Sequence, residues 1–174
     1  FDVRMIKDNV PICIHDPSIN TRLTLKGPLS GDFDQYNYSV LDDYIRLKDG
    51  QKIPSVEQVL DVFITSTNLK YIWLDVKGNP DVFKYLDPIV RNAYAKAATL
   101  NRNVVIIADM PTETVIEQFH DWPSYGDLPM MCELTLQQVI DNTCEYWGPR
   151  YSEGLLLDDV DRAHSLGIKV FSWT

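Results

Sequence analysis

The residue in this chain best suited to move a proton is His15. It ends a short apolar run, Pro11-Ile12-Cys13-Ile14, and Asp16 follows it directly. Imidazole is the side chain whose ordinary ionisation lies nearest neutrality, so it serves as either acid or base. A carboxylate beside it at the tip of a buried strand is a common arrangement for proton transfer next to a metal. Asp16 itself reads as a residue that orients the loop or a neighbour. Other polar residues also stand where apolar runs end: Asp75 and Lys77, Asp109, Glu133, Asp158 and Trp173. Carboxylates gathered in one place suit a bound cation, and a lysine suits an anionic substrate.

The elements that must position these residues can be read from patterning. Short strands are expected at 1–5 and 11–15, joined by the turn-forming cluster Lys7-Asp8-Asn9. Residues 17–51 read as a long irregular insertion, extending to about 52, with one helical turn near Leu41-Asp42-Asp43-Tyr44. A helix opens at Ile53 with Pro54 in its first turn, and Val56, Val59, Leu60 and Phe63 line one face. Strands follow at 71–77, 103–108, 130–134 and 168–173, with a strand or buried turn at 155–157. Helices are expected at 81–100, 112–119, 135–142 and 159–166; Thr112 introduces the second and Gly167 closes the last. Strands that are apolar on both faces and alternate with helices predict an α/β fold with a parallel sheet covered by helices. A (β/α)8 barrel and a doubly wound sheet both gather strand C-terminal ends on one side, so periodicity leaves the two open. The absence of a glycine-rich phosphate loop weakens the nucleotide-binding version.

Composition narrows the function classes. With 16 basic and 25 acidic residues the chain carries a formal charge of -9. That argues against nucleic acid as the main partner and against docking on anionic membranes through a basic patch. No apolar run is long enough to span a bilayer. The 174 residues, 45% hydrophobic, suffice for one domain with a real core, taken as residues 1–174. Three cysteines with no C-x-x-C pair, two of them (Cys13 and Cys132) inside apolar runs, predict buried free thiols and lean towards a reducing compartment.

Four blocks, in order, resemble the glycerophosphodiester phosphodiesterase family. Asp2, Lys7-Asp8-Asn9, Pro11 and His15-Asp16 resemble its E-x-D followed by K-D-G-x-P-V-V-x-H-D, with Asn9 where glycine is usual. Ile53-Pro54-Ser55-Val56-Glu57-Gln58-Val59-Leu60 resembles I-P-T-L-x-E-x-L, and Asp75-Val76-Lys77 resembles E-x-K. The run from Ala163 to Thr174, with Gly167, Val170 and Trp173, resembles the family's closing block.

The resemblance implies a (β/α)8 TIM barrel and a metal-dependent hydrolase that splits small glycerophosphodiesters into glycerol 3-phosphate and an alcohol. It implies Asp2 and Asp75 as ligands of a divalent cation, Ca²⁺ or Mg²⁺, and His15 as one member of a histidine acid/base pair. Lys77 would place its charge on phosphate oxygens, Trp173 would line the glycerol side of the pocket, and Glu133 is a further candidate for substrate contact. Asp75 stands where glutamate is usual, which shortens its reach by one methylene. The family's first strand, its other histidine and the glutamate of E-x-D would precede Phe1, and the last strand would continue past Thr174. This chain alone is therefore expected to be inactive. Bacterial members are often exported to the periplasm or cell envelope. Two other readings stand beside this one: a phospholipid head-group lyase on a similar barrel, which would leave a cyclic phosphate, and a non-catalytic barrel with a degraded site.

Overall fold

A computed structural model describes residues 1–78, 81–121, 128–154 and 156–173. The chain divides into two compact units, residues 1–72 with 77–105 and residues 73–76 with 106–174.

The first unit begins with an antiparallel hairpin, β1 (Asp2–Met5) and β2 (Pro11–Cys13), in the register Val3 to Cys13 and Met5 to Pro11. Its turn needs a residue in the left-handed region, and Asn9 supplies it with φ 61°. Asparagine tolerates that conformation better than other side chains, which is why it can stand in for glycine. Strand β1 alternates: Val3 and Met5 are buried, while Asp2 and Arg4 point to the other, half-buried side.

The segment expected to be irregular holds regular structure. A two-residue strand pair forms, β3 (Ser18–Ile19) with β4 (Gly31–Asp32), followed by a 3-10 turn at Phe33–Gln35 and helix α1 (Tyr38–Tyr44). Phe33, Leu41 and Ile45 from this segment cluster with Ile6, Ile12 and Ile14 around the hairpin. That burial supplies the order that local propensity lacks.

Helix α2 (Val56–Ser66) starts three residues later than expected. Ser55 accepts from the Gln58 amide and Gln58 accepts from the Ser55 amide, a capping box that leaves Pro54 outside the helix. At its other end Arg102 donates to the carbonyls of Phe63 and Ile64, satisfying groups the helix leaves open, and to that of Leu69 in the loop beyond. Helix α3 (Val82–Thr99) packs against α2.

Strand β5 (Tyr71–Val76) passes from the first unit into the second. In the second unit the strand order is β5, β6 (Val105–Met110), β7 (Met130–Cys132), β8 (Tyr146–Trp147) and β9 (Lys169–Val170). The last four are parallel neighbours, with Asp109 beside Met131 and Cys132 beside Trp147. Helices α4 (Glu113–His120), α5 (Leu136–Asp141) and α6 (Leu157–Ser165) alternate with them. Thr112 and Thr135 cap α4 and α5, accepting from the amides of Val115 and Gln138. The α/β expectation therefore holds, with a ladder that does not close among the described residues.

Three corrections follow. Cys132 and Cys144 are not free thiols; they form a disulfide with Cα atoms 6.4 Å apart, and Cys13 is free. Twelve residues of separation hid the pairing, because α5 folds back between the two sulfurs. Leu157 is not in a strand or buried turn: it opens α6 and is 65% exposed, while Leu155 lies outside the described residues. Strand β8 was not anticipated. Two residues are too short to show a period, although both are buried.

Candidate functional site

Two groups of candidate side chains emerge, one in each unit. In the first, Asp2 and Arg4 share a face of β1. The Lys77 amide donates to the Val3 carbonyl (3.0 Å), which fixes the residue after β5 against β1. Lys77 Nζ then lies 3.5 Å from Asp2 Oδ1, both side chains about a quarter exposed (24% and 27%). The Arg4 Nε donates to the His15 carbonyl (2.8 Å) and holds the backbone that follows β2.

His15 is exposed, and its Nδ1 lies 2.7 Å from Asp16 Oδ1. Asp16 also accepts from Arg22, through Nε at 3.1 Å and Nη2, and from Asn20 Nδ2 at 2.8 Å. Hydrogen bonds from His15 and Arg22 hold the Asp16 carboxyl well below the usual carboxylate range. His15 and Asp2 line one cavity of about 450 Å³, together with Phe1, Cys13, Arg22, Leu23 and Lys48. A second cavity of about 330 Å³ is lined by Lys77, Arg4, Phe33, Asp32 and Asp34. Burial pushes the Cys13 thiol up to about 12, which keeps it protonated near neutral pH.

In the second unit Asp75, Asp109 and Glu133 converge, with one carboxylate oxygen from each lying within 4.8 Å of the others. Asp75 and Asp109 are the penultimate residues of β5 and β6, and Glu133 follows β7. Neighbouring parallel strands set side by side bring their C-terminal ends together, and the Glu133 amide donates to the Met110 carbonyl (3.2 Å) to fix the register. Asp109 is 1% exposed. Like charges this close disfavour one another's ionisation, and a bound cation removes that conflict. Three hard carboxylate oxygens fit Mg²⁺ or Ca²⁺ by chemistry. The disulfide anchors Cys132, the residue before Glu133, and Gly148 donates its amide to the Cys132 carbonyl (2.9 Å). Gly148 lies against Glu133: a Cβ there would make ordinary contact with Glu133 Cγ at 3.5 Å.

Of the residues singled out in the sequence, the first unit brings together Asp2, His15 and Lys77. The second brings Asp75 to Glu133. Trp173 is also in the second unit, half-buried, its Nε1 donating to the Gly148 carbonyl (2.9 Å) and its ring beneath the Arg150 guanidinium at 5.1 Å. Asp109 had no assigned role in the sequence. Its signal was a lone carboxylate closing the most apolar strand, a residue costly to bury unless paired or coordinated. Arg22 gave no signal at all, because the segment carrying it read as irregular.

No family model matches this sequence, and no curated protein matches it. Solved structures do. A glycerophosphodiester phosphodiesterase from Parabacteroides distasonis is similar with a TM-score of 0.71 at 21% identity, over 100% of this chain and 69% of that one. A glycerophosphoryl diester phosphodiesterase from the same organism is similar with a TM-score of 0.59 at 17% identity, over 97% of this chain and 58% of that one. The chain thus spans between about three-fifths and two-thirds of these structures, and at such identities what it shares with these glycerophosphodiester phosphodiesterases is their fold.

Proposed function

We propose that this chain is part of a metal-dependent glycerophosphodiester phosphodiesterase, a (β/α)8 barrel enzyme releasing glycerol 3-phosphate and an alcohol. The observation that carries the reading is His15 beside Asp2 in one cavity, with Lys77 against Asp2, on a fold shared with solved enzymes of that name. His15 exchanges the proton of the attacking or leaving oxygen. Lys77 offers its ammonium to the phosphate oxygens, where a fixed charge acts without reorganising. Asp75, Asp109 and Glu133 would hold the divalent cation. When bound, the cation neutralises phosphate charge. Trp173, its indole N–H already engaged by Gly148, offers a ring face to the glycerol. The disulfide supports an oxidising compartment outside the cytosol, in line with export.

The test is release of glycerol 3-phosphate by the product of the gene that encodes this chain, measured with a coupled dehydrogenase. EDTA should abolish it, Mg²⁺ or Ca²⁺ should restore it, and His15→Ala should lower kcat by roughly 10²- to 10⁴-fold. No release from any glycerophosphodiester, with the metal present, would leave a non-catalytic barrel as the better reading.

A further inference from the structure

We infer that Asp16 is a positioning residue for His15, holding its ring with the proton on Nδ1 and Nε2 left to exchange protons, and that Arg22 holds Asp16 in turn. This rests on the proposed role of His15 and adds to it the tautomer and the residues that select it.

An ionised carboxylate can only accept, and a neutral imidazole has one donor nitrogen and one acceptor. Asp16 Oδ1 stands 2.7 Å from His15 Nδ1, so that nitrogen must be the donor. Two facing lone pairs at this distance would repel. The remaining nitrogen, Nε2, then carries the lone pair a general base needs. Neutral histidine in water prefers the opposite tautomer, so the contact reverses a default.

Asp16 is itself held in place. Arg22 grips both carboxylate oxygens through Nε and Nη2, the fork geometry in which guanidinium and carboxylate match. Asn20 Nδ2 adds a third donor to Oδ2 at 2.8 Å. Held by these donors, the carboxylate is 17% exposed, whereas Arg22 is 65% exposed. Arg22 Nη2 also approaches His15 Nδ1, at 3.4 Å. A guanidinium cannot accept a proton, so the Nδ1 hydrogen can be received only by Asp16. The charges of Asp16 and Arg22 cancel, and the ring is steered by an ion pair instead of a lone anion. Adjacent residues in a strand point to opposite faces, yet these two side chains meet because the chain bends at 15–17, directly after β2. The bend leads into the 17–52 insertion and Arg22 lies near its start, which gives that segment a purpose beyond covering the hairpin.

The test reads the tautomer directly. Long-range ¹H–¹⁵N spectra of uniformly labelled protein, recorded above the ordinary imidazole range, distinguish the two neutral forms; His15→Gln assigns the signals. In the wild type His15 should show the Nδ1–H form. Asp16→Ala should move it to the Nε2–H form, with kcat lower by roughly 10- to 100-fold and KM within about twofold. Asp16→Asn, which keeps an acceptor oxygen and protects against a folding artefact, should fall between. Arg22→Gln should broaden the His15 signals as Asp16 is released. An Nε2–H tautomer in the wild type would overturn the inference, as would a fall in kcat in Asp16→Ala with the tautomer unchanged. If the wild type releases no glycerol 3-phosphate but shows the Nδ1–H form and loses it in Asp16→Ala, the proposed reaction fails and the positioning stands.

Discussion

At the scale of single residues, charge and burial decide which side chains are chemically available. Asp16 is stabilised in its ionised form by His15 and Arg22, so its folded ionisation lies below its unfolded one. Its contribution to stability is complete above the ordinary carboxyl range and is lost as pH falls below about 4. Thermal melts of wild type and Asp16→Asn should therefore differ at pH 7 and converge at strongly acidic pH; a constant gap would contradict this. Cys13 behaves in the opposite sense. Burial raises its thiol to about 12, so the folded state keeps a proton that the unfolded state releases at lower pH. The stability it contributes is lost as pH climbs from the ordinary thiol range towards that value. In native protein Cys13 should react with iodoacetamide far more slowly than in urea, and a rapid native reaction would show it to be accessible.

At the scale of elements, helix ends and the crosslink set where the functional residues come to rest. Ser55→Ala removes half of a capping box and should cost about 1 kcal/mol in urea denaturation. The guanidinium of Arg102 bonds the carbonyls of Phe63 and Ile64 at the far end of the same helix and of Leu69 beyond it, so Arg102→Met should cost about 1.5–3 kcal/mol. Equal stability in both variants would mean that packing against α3, not capping, holds α2. In the second unit the Cys132–Cys144 disulfide spans α5. Cys144→Ser should lower stability by about 2–4 kcal/mol, matched in the wild type by reductant. A wild type indifferent to reductant would rule the crosslink out.

At the scale of the whole molecule, the net charge of -9 favours cation binding, and the carboxylate cluster concentrates that charge. A ligand that binds only the folded state stabilises it by about 2.7 kcal/mol at a hundredfold excess over Kd. Titration with Mg²⁺ or Ca²⁺ should raise the Tm of the wild type, and Asp109→Asn, nearly isosteric, should blunt the rise. An equal rise in both proteins would place the cation elsewhere.

By itself the sequence determined the alternation of strand and helix, since burial on both faces writes continuous apolar runs into β6 and β7. It also marked His15, Asp75 and Lys77, because each stands where an apolar run ends, and Asp2 through the motif it resembles. Asn9 was legible for a local reason: a two-strand turn constrains φ regardless of what surrounds it. Tertiary structure alone decided the rest. The order within 17–52 comes from contacts with the hairpin, which local propensity does not encode. The disulfide and the grouping of Asp75, Asp109 and Glu133 depend on which strands become neighbours, so residues up to 58 positions apart meet through pairing rather than spacing. Arg22 meets Asp16 across the turn that follows β3, where Asn20 accepts from the Arg22 amide and donates to Asp16, an arrangement that no period in the sequence announces.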